Sequence, residues 1–225
     1  KLLSHRRFQS ATLHDECTTP SPGKATDAAA LGSRRPLDYR PLVVLLVAVL
    51  SLTLQEYWGE RSFFATLVPP PPRNALAGSY WDLASFAWWA GWRVLGYLVV
   101  PMLVVALLPG EKLMDYGLSV RGFLRHVWIY VALFLAVLPP VIFFSTTKMF
   151  QHTYPFYKLA ARSRFDLVSW ELLYAAQFLS LEFFFRGFLL HGLKRSLGVH
   201  CIWVMVVPYC MIHFGKPMPE TLGAI

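Results

Sequence analysis

The sequence predicts an all-α fold, a polytopic bundle of transmembrane helices, and three observations carry that prediction. Of the 225 residues 56% are hydrophobic and only 15% are charged, too little polar surface for a water-soluble domain. The apolar residues fall into long blocks separated by short polar, Pro- or Gly-containing stretches, the pattern of several spans rather than one buried core. The basic residues behind the net charge of +8 sit mostly in the first forty positions and at block ends, where they suit anionic headgroups. The lipid bilayer is therefore the expected partner, and nucleic acid is not.

Residues 1–36 are polar, rich in Ser, Thr and Pro, and read as a flexible tail. Residues 37–108 hold two expected spans. The first, Leu42 to about Leu54, is short unless Gln55 to Trp58 reach the interface, and the prolines at 69–72 then force an extended loop. The second, Tyr80 to Leu108, carries Trp81, Trp88, Trp89 and Trp92 toward one end and stops at Pro109-Gly110. Residues 109–225 form the expected chemistry-bearing part. Its mixed segment Glu111 to His126 suits the interface, a third span from about Val127 to Phe144 should kink at Pro139-Pro140, and the loop 145–165 is basic. A fourth block runs from Phe165 to about Leu193, a fifth from His200 to Phe214, and a sixth opens near Pro219. Beginning on Lys1 and stopping as that block opens, the chain is expected to be part of a longer protein. Arg34, Arg35 and Arg40 favour a cytoplasmic N-terminus in the cell's inner membrane. Cys17, Cys201 and Cys210 form no CxxC pair, and neither a disulfide nor a thiolate metal site is expected.

Charge inside the fourth block is the informative feature. Glu182 and Arg186 lie in an apolar helix, where an uncompensated charge costs at least a few kcal/mol, roughly 2.5–3.5 on insertion scales. Their i,i+4 spacing, Glu first, is the favourable order for a helical ion pair, and such a pair is also the purely structural reading. In the fifth block Tyr209 and His213 are likewise i,i+4. With a turn centred near residues 196–197, Glu182 lies about 14 residues before it and His213 about 16 after, so at 1.5 Å per residue their depths differ by only about 3 Å. A carboxylate and an imidazole meeting in a low-dielectric cavity can activate water, which is hydrolase chemistry.

Glu182-Phe-Phe-Phe-Arg186-Gly187-Phe188 and, on the next span, Tyr209-x-x-x-His213 resemble the consecutive EExxxR and FxxxH motifs of the CAAX-protease and bacteriocin-processing (CPBP, Abi) family of intramembrane peptidases. The YGLSVRGF stretch before the third span is also similar to the family's, and the resemblance covers roughly residues 110–225. It implies cleavage of a membrane-associated peptide or protein substrate by a water activated between Glu182 and His213, with Arg186 holding the glutamate charged. A divalent metal such as zinc, with His213 as ligand, is a family-level expectation. The residues themselves offer that one imidazole, where a catalytic zinc generally takes three protein ligands. Leu181 stands where the family motif has its first glutamate, and a further histidine motif would lie beyond Ile225. Two readings stay open: Glu182 itself serves as base, or the chain is an inactive adaptor or immunity protein of the same fold. HExxH, GxSG and GxGD motifs are absent from the sequence, and a transporter would call for an internal repeat that is not visible. Glu220 reads either as a first-turn helix residue or as a group approaching His213 across the short loop.

Overall fold

The computed structural model describes residues 38–72, 78–118 and 123–224; the expected N-terminal tail and part of the YGLSVRGF stretch lie outside them. Among the described residues the architecture is all helical, and four helical runs are long and apolar enough to cross a membrane: Arg40–Tyr57, Tyr80–Leu107, Leu124–Ser145 and Arg164–Met211.

Helix α1 (Arg40–Tyr57) opens with a proline in its first turn, where a missing N–H costs nothing. Its buried residues Val44, Ala48, Ser51 and Gln55 form one stripe at spacings of four and three, while Leu42, Leu46, Val49 and Leu50 face outward. Gly59 permits the turn that follows, since a Cβ there would lie 2.6 Å from the Gln55 carbonyl oxygen. The short α2 (Arg61–Leu67) then lies against α3 (Gly78–Val94) through Phe63, Phe64, Trp81 and Trp88. Trp81 and Trp88 donate their indole N–H groups to the Val68 and Trp58 carbonyls at 2.9 and 2.8 Å, the wet end of an interfacial aromatic belt.

Helix α3 continues through a π-helical segment, Leu95–Val99, into α4 (Val100–Leu107). Pro101 explains the segment's position: its ring and missing N–H cannot sit in a regular turn, and the wider turn immediately before it absorbs the misfit. The chain leaves α4 at Leu108 and Gly110, the latter at φ +77°. Helix α5 (Phe123–Ser145) runs through Pro139-Pro140 as one helix, and its apolar window is not buried anywhere by the rest of the chain. The Thr147 side chain caps α6 (Lys148–Thr153).

Ser163 starts α7 (Arg164–Glu182) by accepting from the Asp166 amide. A second π segment, Phe183–Leu189, joins α7 to α8 (Leu190–Leu197), so one helical column extends for about 50 Å. Gly198, at φ +55°, reverses the chain into α9 (Cys201–Met211). The expected fifth span at 200–214 is shorter than anticipated. With Pro208 inside it, α9 ends at Met211, roughly 16 Å long, and Gly215 at φ +86° turns the chain into α10 (Met218–Leu222). A helix that stops at membrane depth must line a cavity or be covered by protein.

Arg40 and Arg195 both reach Glu111, at 3.1 and 2.8 Å, which places the start of α1, the end of α4 and the end of α8 at one level. Counted along their helices at about 1.5 Å per residue, Gln55, Arg93, Leu181 and Glu182 each lie roughly 20 Å from that level. One layer nearer the Glu111 side, the two π segments pack together, with ring centroids 4.9 Å apart for Tyr97 and Phe184. Phe185 meets Tyr209 of α9 at 5.0 Å. A separate core beyond the polar layer joins Leu83, Phe86, Tyr157, Ala160 and Trp170.

Candidate functional site

Glu182 and Arg186 form the pair that their spacing predicts: Arg186 Nη1 donates to both carboxylate oxygens, at 2.6 and 2.7 Å. The pair is half-open, with side chains 34% and 51% exposed, so its contribution to stability is that of a screened pair, under about 1 kcal/mol. The Arg186 guanidinium also lies 5.0 Å from the centre of the Tyr209 ring. Tyr209 in turn holds His213, whose Nδ1 is 2.7 Å from the Tyr209 carbonyl oxygen. A carbonyl only accepts, so Nδ1 carries a proton, and Nε2 has no partner among the described residues.

The two motifs meet through Arg186 and the Tyr209 ring, yet among the described residues no hydrogen bond or ion pair joins Glu182 to His213. A cavity of about 1060 Å³ explains why. Its α7 wall is Tyr174, Gln177, Phe178 and Leu181, one face at helical spacing. Glu182 is the next residue round the helix, about 100° away, and it is Leu181 that shares the cavity with His213.

The carboxylate that does line the cavity is Glu220, in the first turn of α10. Its two oxygens accept from the Tyr154 hydroxyl at 2.6 Å and from Lys216 Nζ at 2.8 Å. Burial, and then the bond to Glu220, push the Tyr154 phenol well above the usual tyrosine range. Thr221 donates to the His213 carbonyl at 3.0 Å, which ties α10 to the end of α9. Of the two readings of Glu220, the first-turn position holds, and the same position brings it into the wall that contains His213.

Arg93 is the residue that the sequence reading passed over. It lies in the middle of the Tyr80–Leu107 run, lines the cavity, and is 13% exposed. Its guanidinium donates to Glu60 at 3.0 Å, to the Tyr97 hydroxyl at 3.0 Å and to Gln55 Oε1 at 3.4 Å. Two buried nitrogens of this cluster, Arg93 Nε and Gln55 Nε2, have no partner. Burial raises the Glu60 carboxyl above its ordinary value against the opposing pull of Arg93. The available signal was a lone arginine inside an apolar run, the same signal that singled out Glu182.

Among the described residues no group of three or more His, Cys, Asp or Glu side chains could hold a metal ion. The donors near His213 do not fit a catalytic zinc, and no step below is routed through one. No family model matches the chain, and neither the curated proteins nor the solved structures contain a match to it.

Proposed function

We propose that the chain is an intramembrane peptidase of the CAAX-protease and bacteriocin-processing type, hydrolysing a peptide bond of a membrane-associated substrate with an activated water. The observation that carries this reading is the open Nε2 of His213 in a cavity at membrane depth, with Glu220, Lys216 and Tyr154 on the same wall. A water held at Nε2 gives its proton to the imidazole while its oxygen bonds to the substrate carbonyl carbon. Lys216, which keeps N–H groups beyond the one it gives to Glu220, is the donor available to the developing oxyanion. The imidazolium then protonates the departing amine, leaving one carboxylate and one amine. Glu182 and Arg186 act here as positioning residues, through the Tyr209 ring and its carbonyl to His213. The chain is taken to lie in the inner membrane with a cytoplasmic N-terminus, as the arginines before α1 suggest.

Leu181 favours a second reading, an adaptor or immunity protein without hydrolysis, because an alkyl side chain occupies the cavity face beside His213. Cleavage of membrane-extracted peptides by the purified full-length protein decides between the two. Under the peptidase reading His213→Ala removes activity, on the order of a hundredfold or more in kcat, and Glu182→Gln lowers kcat by less. Wild-type protein with no activity above background across a broad peptide panel establishes the adaptor.

A further inference from the structure

Helix α7 turns one face to its own bundle and another away from it. The outward face carries Val168, Leu172, Ala175, Leu179, Glu182 and, past the junction with the π segment, Arg186, at steps of three and four. Its apolar members are open, Val168 at 56%, Leu172 at 67% and Leu179 at 71% exposed, and the cavity lies on the neighbouring face, where Leu181 sits. Such apolar exposure is ordinary where a helix meets acyl chains. A charged pair in the middle of it is not. Counted from Arg195, at the Glu111 level, Arg186 and Glu182 lie about 14 and 20 Å along the helical column, inside a hydrocarbon core roughly 30 Å thick.

The pair is internally neutral but not saturated. Each Glu182 oxygen accepts one bond, at 2.6 and 2.7 Å, and both come from Arg186 Nη1. One face of the guanidinium is covered by the Tyr209 ring at 5.0 Å, while Nε and Nη2 have no acceptor among the described residues. With side chains 34% and 51% exposed, these groups reach whatever lies against the helix. Water satisfies and screens them outside a membrane, and hydrocarbon does neither.

We propose that this face of α7 docks a transmembrane helix of a partner protein that carries an asparagine or glutamine at the level of Arg186. A carboxamide holds a carbonyl and an NH2 on one carbon, so it accepts from Arg186 Nη2 and donates to Glu182 at once, and being neutral it leaves the pair neutral. Ala175 keeps the face shallow enough for helix backbones to approach closely. A second copy of this chain does not fit. Two copies in the same orientation would set Glu182 level with Glu182 and Arg186 level with Arg186, like charge against like. Nor, among the described residues, does the chain offer a carboxamide of its own: Gln55 and Gln177 are buried, and Gln151 lies in α6, outside the spans. Docking does not depend on whether the chain hydrolyses peptides.

Energy transfer between the dye-labelled full chain and a labelled synthetic transmembrane helix, in phosphatidylcholine vesicles, tests the proposal. The probe is a Leu/Ala helix of about 20 residues with one central Gln, and its control has Leu at that position. The Gln helix associates about fivefold or more tightly than the control. Replacing the pair together, Glu182→Leu with Arg186→Leu, removes the difference. Leu179→Trp, at a position that the chain's own packing leaves open, also weakens association with the Gln helix, which keeps the test decisive if the double variant fails to fold. Leu133→Trp on the exposed α5 leaves it unchanged. Equal association of the two helices with the wild type, a preference that survives the double variant, or a preference unmoved by Leu179→Trp overturns the proposal. Self-association of the chain that the double variant abolishes identifies a second copy as the occupant and overturns it as well. The same measurement on His213→Ala protein gives the wild-type result, so a failed peptidase assay leaves it untouched.

Discussion

Asp166 and Arg93 are both largely buried charged side chains on long helices, and their surroundings differ in one respect. Asp166 is saturated: its carboxylate accepts from Arg162 Nε and Nη2 at 2.9 and 2.6 Å, from the Ser163 hydroxyl at 2.6 Å and from the Tyr157 hydroxyl. Ser163 returns a bond as acceptor from the Asp166 amide, a reciprocal helix cap. Arg93, beside the cavity, is left with orphan donors around it. A polar cluster with every valence filled fixes a backbone, whereas one with orphan buried donors carries an uncompensated desolvation cost. Charge at depth is thus a poor guide to function by itself, and the count of unfilled bonds is a better one.

Asp166→Asn should produce the largest effect on folding, lowering the thermal midpoint in detergent by roughly 5 °C or more, because four donor groups on three side chains lose a charged acceptor together. If Arg93 is instead a second structural hub, the paired replacement Arg93→Gln with Glu60→Gln should be as damaging. The vacancies predict that the pair changes the midpoint by under about 2 °C. Differential scanning of the two proteins side by side makes the distinction.

Ser163→Ala sharpens the same contrast at smaller scale. It should cost about 1 kcal/mol of stability, read by denaturant or thermal titration. Gly96→Ala is its counterpart on the other cluster, since a Cβ there would lie 2.3 Å from Gln55 Nε2 and must displace the amide. Stability should fall by at least about 1 kcal/mol in that variant, read by the same titration, because a fully buried side chain has to move.

The smallest effect concerns pH. The folded Glu60 carboxyl titrates above its ordinary value because of burial, so its proton is held more tightly in the folded state. Its contribution to stability is fully present below the ordinary carboxylate range and is lost as pH rises through the raised value. Mild acidification should therefore stabilise this site, against the opposing influence of Arg93 and with Glu56 and Arg61 nearby. Glu60→Gln should flatten that part of the stability profile.

Much of this organisation is legible in the sequence. Block lengths mark the spans, the tryptophans mark a belt, and Glu182 and Arg186 announce their pairing by spacing alone. Facing is not legible to the same degree. Leu181 and Glu182 are neighbours in sequence about 100° apart on the helix, and depth arithmetic is blind to that angle. The half-length of α9 depends on how the chain resolves Pro208 and Gly215 together. Asp166 reads as the edge of an apolar block, although Ser163 three residues earlier makes a recognisable cap. Arg93 was as visible as Glu182 but had no opposite charge at helical spacing to draw attention to it; Glu60 reaches it from a different segment.

The π segment at Phe183–Leu189 works like a vernier between two scales. It takes up one residue more than an α-helix would over the same rise, so α7 keeps its phase despite the surplus. With α8 held in place, tightening this segment to α-helical pitch would pass the surplus upstream, turning α7 by about 100° and sliding it about 1.5 Å. Each position on the cavity wall would then be inherited by the following residue, and the place of Leu181 would go to Glu182. A single notch in this segment would thus exchange an alkyl group for a carboxylate opposite His213.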